Sequence, residues 1–148
     1  MPQKSHWPAL PVIVALSMPG VAWATQREQL PTEVTPLRYD LDLVPDLVRL
    51  TFSGRVKIAI AVGLPTSSIM LNADELVLDK AVLDSKTAAI ALDTKLQRAT
   101  LRFERPVTTG SHSLTIDYHG AIGKSTMGFF AMDYDGPSGK RRMIATNF

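Results

Sequence analysis

Between Pro36 and Pro45 the sequence reads Leu37-Arg38-Tyr39-Asp40-Leu41-Asp42-Leu43, apolar at each odd position and charged at each even one. A strand turns successive side chains to opposite faces, so a period of two writes a strand with one buried face and one wet face. A helix would scatter the same residues around its circumference. The signature recurs. Val56, Ile58, Ile60 and Val62 alternate within Arg55–Val62, after the lead-in Phe52-Ser53-Gly54. Ala99–Arg105 alternates, and Ser113–His119 does so with Leu114, Ile116 and Tyr118 in phase. Ser68–Ala73, Leu76–Leu78, Val82-Leu83 and Ala88–Leu92 are shorter apolar pieces. No segment repeats apolar residues at i, i+3, i+4 and i+7 over three turns, so almost no helix is expected.

Turn residues punctuate these runs. Pro36 and Pro45 bound the first strand, because proline cannot donate to a ladder. Gly63-Leu64-Pro65-Thr66 closes the second, and Pro106 with Thr108-Thr109-Gly110 closes the run from Ala99. The final stretch, Gly128–Phe148, carries two aromatic and apolar runs around Asp135-Gly136-Pro137-Ser138-Gly139, the pattern of a hairpin. About eight short strands with regular turn signals define an all-β chain, a mostly antiparallel sandwich or a set of open, curved sheets.

A length of 148 residues suits one domain, and 45% hydrophobic with 20% charged residues excludes disorder. A net charge of +2 gives no footing for a nucleic-acid partner. With no cysteine in the chain, disulfides, thiolate metal sites and cysteine nucleophiles are excluded. Residues 1–24 stand apart. Lys4 precedes an uncharged, mostly apolar stretch that ends in Ala22-Trp23-Ala24, the small-x-small pattern of signal peptidase sites. The expectation is an export signal over 1–24, a mature chain over 25–148, and a periplasmic or secreted destination. A stable membrane anchor is not expected. The stretch falls short of the ~20 residues a span requires, and Pro8, Pro11 and Pro19 interrupt it.

Candidates for chemistry are sparse. His112 and His119 lie seven residues apart, so a regular strand puts them on opposite faces, where they cannot share a metal. Both are read as exposed. Asp40 and Asp42 share a face and could form an acid/base pair or a cation site, but they match the wet side of an amphipathic strand. Asp133 and Asp135 flank a loop with too few oxygen ligands for calcium. Lys140-Arg141-Arg142 reads as a solvated hairpin shoulder. Gly120, Gly123 and Gly128 fit no phosphate loop, since no helix follows them. No H-E-x-x-H and no G-x-S-x-G is present. The residues alone describe an exported all-β domain without a visible active site.

Motif order adds more. LPTEVTPLRYDLDLVPD from Leu30, FSGRVKIAI from Phe52, IMLNADELVL from Ile69, LTIDYHGAI from Leu114, then GFFAMDYD and MIATNF, follow one another. This succession resembles the N-terminal domain of the aminopeptidase N family, the zinc-dependent gluzincin aminopeptidases. The resemblance covers Leu30 to Phe148. It implies a saddle-like, largely antiparallel β-domain packed on a catalytic domain that binds zinc and removes N-terminal residues from peptides. It implies that the zinc-binding and amino-group-binding motifs follow Phe148, so that this sequence is a fragment, inactive by itself and without bound zinc. It also implies one substrate-facing residue, Asn147, where the family has the glutamine of a Thr-Gln-Phe-Glu segment. Asn147 carries the same amide on a side chain one methylene shorter. Its plain alternative is a polar strand-end residue. Gly128 and Tyr134 match the family pattern and read equally well as strand geometry and core. The rival reading of the whole chain is a stand-alone β-sandwich that binds a protein or peptide by strand addition and has no activity.

Overall fold

The structure, a computed structural model, describes residues 29–147. The export signal read over 1–24 and the terminal Phe148 lie outside the described residues. Ten strands follow in order: β1 (Val34–Asp46), β2 (Thr51–Val62), β3 (Thr66–Asn72), β4 (Leu76–Leu83), β5 (Lys86–Thr87), β6 (Ala89–Asp93), β7 (Arg98–Val107), β8 (Gly110–Ala121), β9 (Gly128–Gly136) and β10 (Gly139–Asn147). No helix occurs among the described residues. The strands form a five-stranded sheet of order β1-β2-β8-β4-β5, a three-stranded sheet β3-β7-β6 and the hairpin β9-β10. Every strand pair is antiparallel. The all-β, open-sheet expectation holds.

The core lies between the two larger sheets. From the five-stranded sheet come Ile58, Ile60, Leu83, Leu114 and Ile116; from the three-stranded sheet come Ile69, Leu101, Phe103 and Val107. Leu83, Leu101, Leu114 and Val107 are fully buried, each stabilising the fold by about 2 kcal/mol through apolar burial. No polar or charged side chain is buried among the described residues. The inward residues of β2 and β8 are those in phase in the sequence, so alternation assigned these faces correctly.

Alternation in β1 did not assign its burial. Leu37, Tyr39 and Leu41 remain 62%, 60% and 63% exposed. The reason is the cover, not the strand. The cover is a smaller sheet, three strands against five, and at ~3.3 Å per residue its flanking strands are short: β3 has seven residues and β6 five beside the ten of β7, against twelve or thirteen in β1, β2 and β8. The cover sits over one end of the inner face, and β1 is the edge.

The same edge position explains the prolines. Pro36 and Pro45 lie inside β1 rather than at its limits, because an edge strand loses nothing where a donor faces away from its partner. A register shift falls between Pro36 and Arg38. Pro106 likewise lies within β7, in a gap of the β3–β7 ladder between Arg102 and Val107. The apolar pieces Leu76–Leu78 and Val82-Leu83 are one strand, β4, joined through an irregularity between Leu78 and Lys80. The β9–β10 loop shrinks to Pro137-Ser138, since Gly136 pairs with Gly139.

Candidate functional site

Phe-x-Gly and Tyr-x-Gly, two motifs far apart in sequence, meet in register. Phe52 pairs with Gly120 and Gly54 with Tyr118 on the β2–β8 ladder. Each aromatic ring lies across the other motif's glycine. A Cβ on Gly54 would stand 2.6 Å from Tyr118 Cζ, and one on Gly120 would stand 2.8 Å from Phe52 Cζ. The Phe52 and Tyr118 rings meet edge to face at 6.2 Å, and Phe52 meets Phe129 of β9 at 5.4 Å. This aromatic run ties the hairpin to the sheet. Gly123 adds to it by donating its N–H to the Phe129 carbonyl and accepting from Ala131 N–H, both at 2.9 Å.

Beside this run lies an open groove of about 370 Å³ on the uncovered half of the inner face. Tyr39 and Leu41 of β1, Val56 of β2, Leu71 of β3, Leu78 of β4 and Tyr118 of β8 line it. Burial raises the Tyr118 phenol above its ordinary pKa. The groove can receive apolar side chains. Among the described residues its lining holds no carboxylate, histidine, lysine or serine.

The opposite face of the sheet is charged. Asp42 pairs with Arg55, Arg55 with Asp117, and Asp117 with Lys80, alternating sign across four strands. Arg55 grips Asp117 through two hydrogen bonds, of 2.5 and 3.1 Å. That contact holds the carboxyl below its ordinary pKa. Asp40 accepts two hydrogen bonds from Arg38, at 2.9 and 2.6 Å. Asp40 and Asp42 are therefore the wet side of β1, as their spacing suggested, and their contacts are to arginine.

The histidines divide. His119 is exposed and meets Asp79 at 3.0 Å. His112 departs from the expected exposure, with its side chain only 14% accessible. Its phase with Leu114 and Ile116 already placed it on the inner face. Nδ1 lies 2.8 Å from Asp84 Oδ2, and Nε2 lies 2.8 Å from the Thr108 carbonyl. Both partners accept, so the doubly protonated ring satisfies both. His112 is accordingly raised above its ordinary pKa, first by the Asp84 contact and then by the Thr108 carbonyl. Asp84 is lowered in turn, by His112 and by the Ser113 N–H at 2.9 Å. The result is a clasp between the β4–β5 turn and β8. No spacing rule joins residues 28 apart in sequence, so only the fold could show it.

In the hairpin, Arg142 holds Asp133 through hydrogen bonds of 2.6 and 2.9 Å and reaches the Leu47 carbonyl at 3.3 Å. The basic run is thus partly a brace between hairpin and sheet, where a solvated shoulder was expected. Tyr134 is 45% exposed, so its reading as core is corrected: it lies on a two-stranded ribbon without a covering layer. Asn147 pairs with Gly128 at the end of β10, is exposed, and donates Nδ2–H to the Thr126 carbonyl at 3.0 Å. None of Asp40, Asp42, His112, His119 or Asn147 is brought to another. Among the described residues no three His, Cys, Asp or Glu side chains form a set that could hold a metal ion.

Residues 35–148 match the peptidase M1 N-terminal domain, so the chain belongs to that family. Its order of motifs had pointed to the same family. Aminopeptidase N of Acetobacter pasteurianus is 38% identical over 122 residues, covering 81% of this chain and 34% of that protein. Aminopeptidase 2 of Candida albicans is 35% identical over 123 residues, covering 82% of this chain and 13% of its own length. Endoplasmic reticulum aminopeptidase 1 of Rattus norvegicus is 27% identical over 135 residues, covering 85% and 14%. The chain therefore spans about a third or less of the relatives it matches.

Proposed function

We propose that this chain is the N-terminal β-domain of an exported zinc aminopeptidase, an enzyme that removes N-terminal residues from peptides. The family match over residues 35–148 carries the reading, with relatives named as aminopeptidases supporting it. In that enzyme the domain serves as scaffold, packs on the catalytic domain and supplies one wall of the peptide pocket. Asn147 is the residue of that wall, its amide facing the substrate's amino end. Zinc belongs to the catalytic domain. The described residues offer it no ligand set, so no step through the metal is assigned to them. By itself the chain has no aminopeptidase activity.

The test is the native product in source cells. Immunoblotting with an antibody to residues 30–120 should find a band several times longer than this chain. The purified product should release N-terminal residues from peptides, lose activity to a chelator and regain it with zinc. Its mature N-terminus should be Thr25 if the export signal is cleaved after Ala24. A product of this chain's own length with no peptidase activity would instead favour the strand-adding binding module.

A further inference from the structure

Strand β1 is an edge of the five-stranded sheet, and the residues along that edge are complementary to themselves. The direction of its backbone can be read from its neighbours. The Asp42 carbonyl stands 3.0 Å from where a Cβ on Gly54 would lie, so Asp42 turns its backbone groups toward β2. Alternation then turns the N–H and C=O groups of Tyr39, Leu41 and Leu43 away from β2, where no strand of this sheet meets them. Pro45 shares their phase, and a residue in that phase has no ladder bond to lose. The side chains around this open row are free as well. Leu37, Tyr39 and Leu41 are more than half exposed, and Arg38 and Asp40 are 73% and 50% exposed on the charged face.

We propose that β1 is a self-association edge, pairing antiparallel with β1 of a second copy about a two-fold axis at Tyr39. Charge selects both the occupant and the register. A two-fold pair in which outward backbone groups face each other can be centred on Tyr39, Asp40 or Leu41. Centred on Leu41, it sets Asp40 against Asp42 twice. Centred on Asp40, it sets Arg38 against Asp42 but also drives Asp40 against itself on the axis. Centred on Tyr39, it sets Arg38 of each copy against Asp40 of the other, with no like charges opposed. Those two pairs fall at the close, non-hydrogen-bonded positions of the ladder, where opposite charges attract best. The two Tyr39 residues exchange backbone hydrogen bonds, Leu37 comes opposite Leu41, and the apolar sides of the two sheets become continuous. The register shift between Pro36 and Arg38 ends the ladder on each copy. A ladder from Leu37 to Leu41 is short, so the dimer is weak and depends on concentration.

The experiment uses the native product and its variants made in source cells, followed by sedimentation equilibrium over a concentration series. The unaltered product should pass from monomer to dimer. Arg38→Asp alone and Asp40→Arg alone should each weaken the dimer about tenfold, because both attractive pairs become repulsive. Mixing these two variants should restore it, since one then carries only acids at the two positions and the other only bases. The double variant, Arg38→Asp with Asp40→Arg, should dimerise as the unaltered product does. A product that stays monomeric overturns the proposal. So does a dimer indifferent to either charge reversal, which would place the contact elsewhere, and so does a mixture that fails to recover. Should a variant fail to accumulate, amide hydrogen exchange of the unaltered product decides. The Tyr39 N–H, turned outward in the single chain, should exchange several-fold more slowly as concentration rises. The Asp42 N–H, turned toward β2, should not change. A Tyr39 rate independent of concentration overturns the proposal.

Discussion

The Tyr118 ring lies against Gly54 so closely that a methyl group there would stand 2.6 Å from Cζ and 3.0 Å from the Asp42 carbonyl. Glycine at position 54 is therefore a requirement of packing, since ring and backbone both crowd the site. Gly54→Ala should destabilise the chain by about 1–3 kcal/mol through overpacking. The same change in a Tyr118→Ala background should cost less, because the ring is gone. Urea unfolding of the two single variants and the double variant measures this. Strict additivity would refute the contact as the cause.

The His112–Asp84 clasp should give stability a pH dependence. His112 is raised in the folded chain, so its contribution is complete below its ordinary value of 6.5 and is lost as pH rises through the folded value. Asp84 is lowered, so its contribution holds above 3.8 and is lost as pH falls through the depressed value. Asp84 is half exposed, and solvent screening keeps the pair to about 1 kcal/mol or less. His112→Gln should lower the melting temperature most between these limits and least in mild alkali. Melting curves across pH would show a constant difference if the clasp did not titrate.

Leu41 and Leu114 point to one face of one sheet, yet the fold uses them differently. Leu114 is fully buried and Leu41 is 63% exposed. Leu114→Ala should cost about 2–5 kcal/mol in this chain, and Leu41→Ala well under about 1 kcal/mol. Equal losses in chemical denaturation would show that β1 is covered in the chain itself.

Asn147 tests the substrate wall. In the longer enzyme, Asn147→Ala should lower kcat/KM by about tenfold, the loss of one hydrogen bond to a charged group. The melting temperature should change little, because Asn147 is exposed and its contact in the chain is a single bond to the Thr126 carbonyl. Steady-state kinetics on a peptide substrate would count against the role if kcat/KM were unchanged.

Alternation identified the strands and, for β2 and β8, their inward faces, because side-chain direction is a property of the strand itself. Turn residues placed most of the breaks. Proline positions were misleading in β1 and β7, where edge position and a gap in the ladder make a missing N–H harmless. The two-residue strand β5 has no periodicity to show. The order of motifs was enough to indicate the family. For the site, His112 was read as exposed although it shares the parity of Leu114 and Ile116, and no spacing could supply Asp84.

What the sequence determined by itself was the all-β character, the faces of the long strands and the family. Each is encoded locally or in linear order. What only the tertiary structure decided was which faces are covered. Leu37-Arg38-Tyr39-Asp40-Leu41 alternates as cleanly as any strand here, yet its apolar side is open. Period two states which side chains point together. Burial depends on what lies opposite, and that is set by the length and placement of strands elsewhere in the chain.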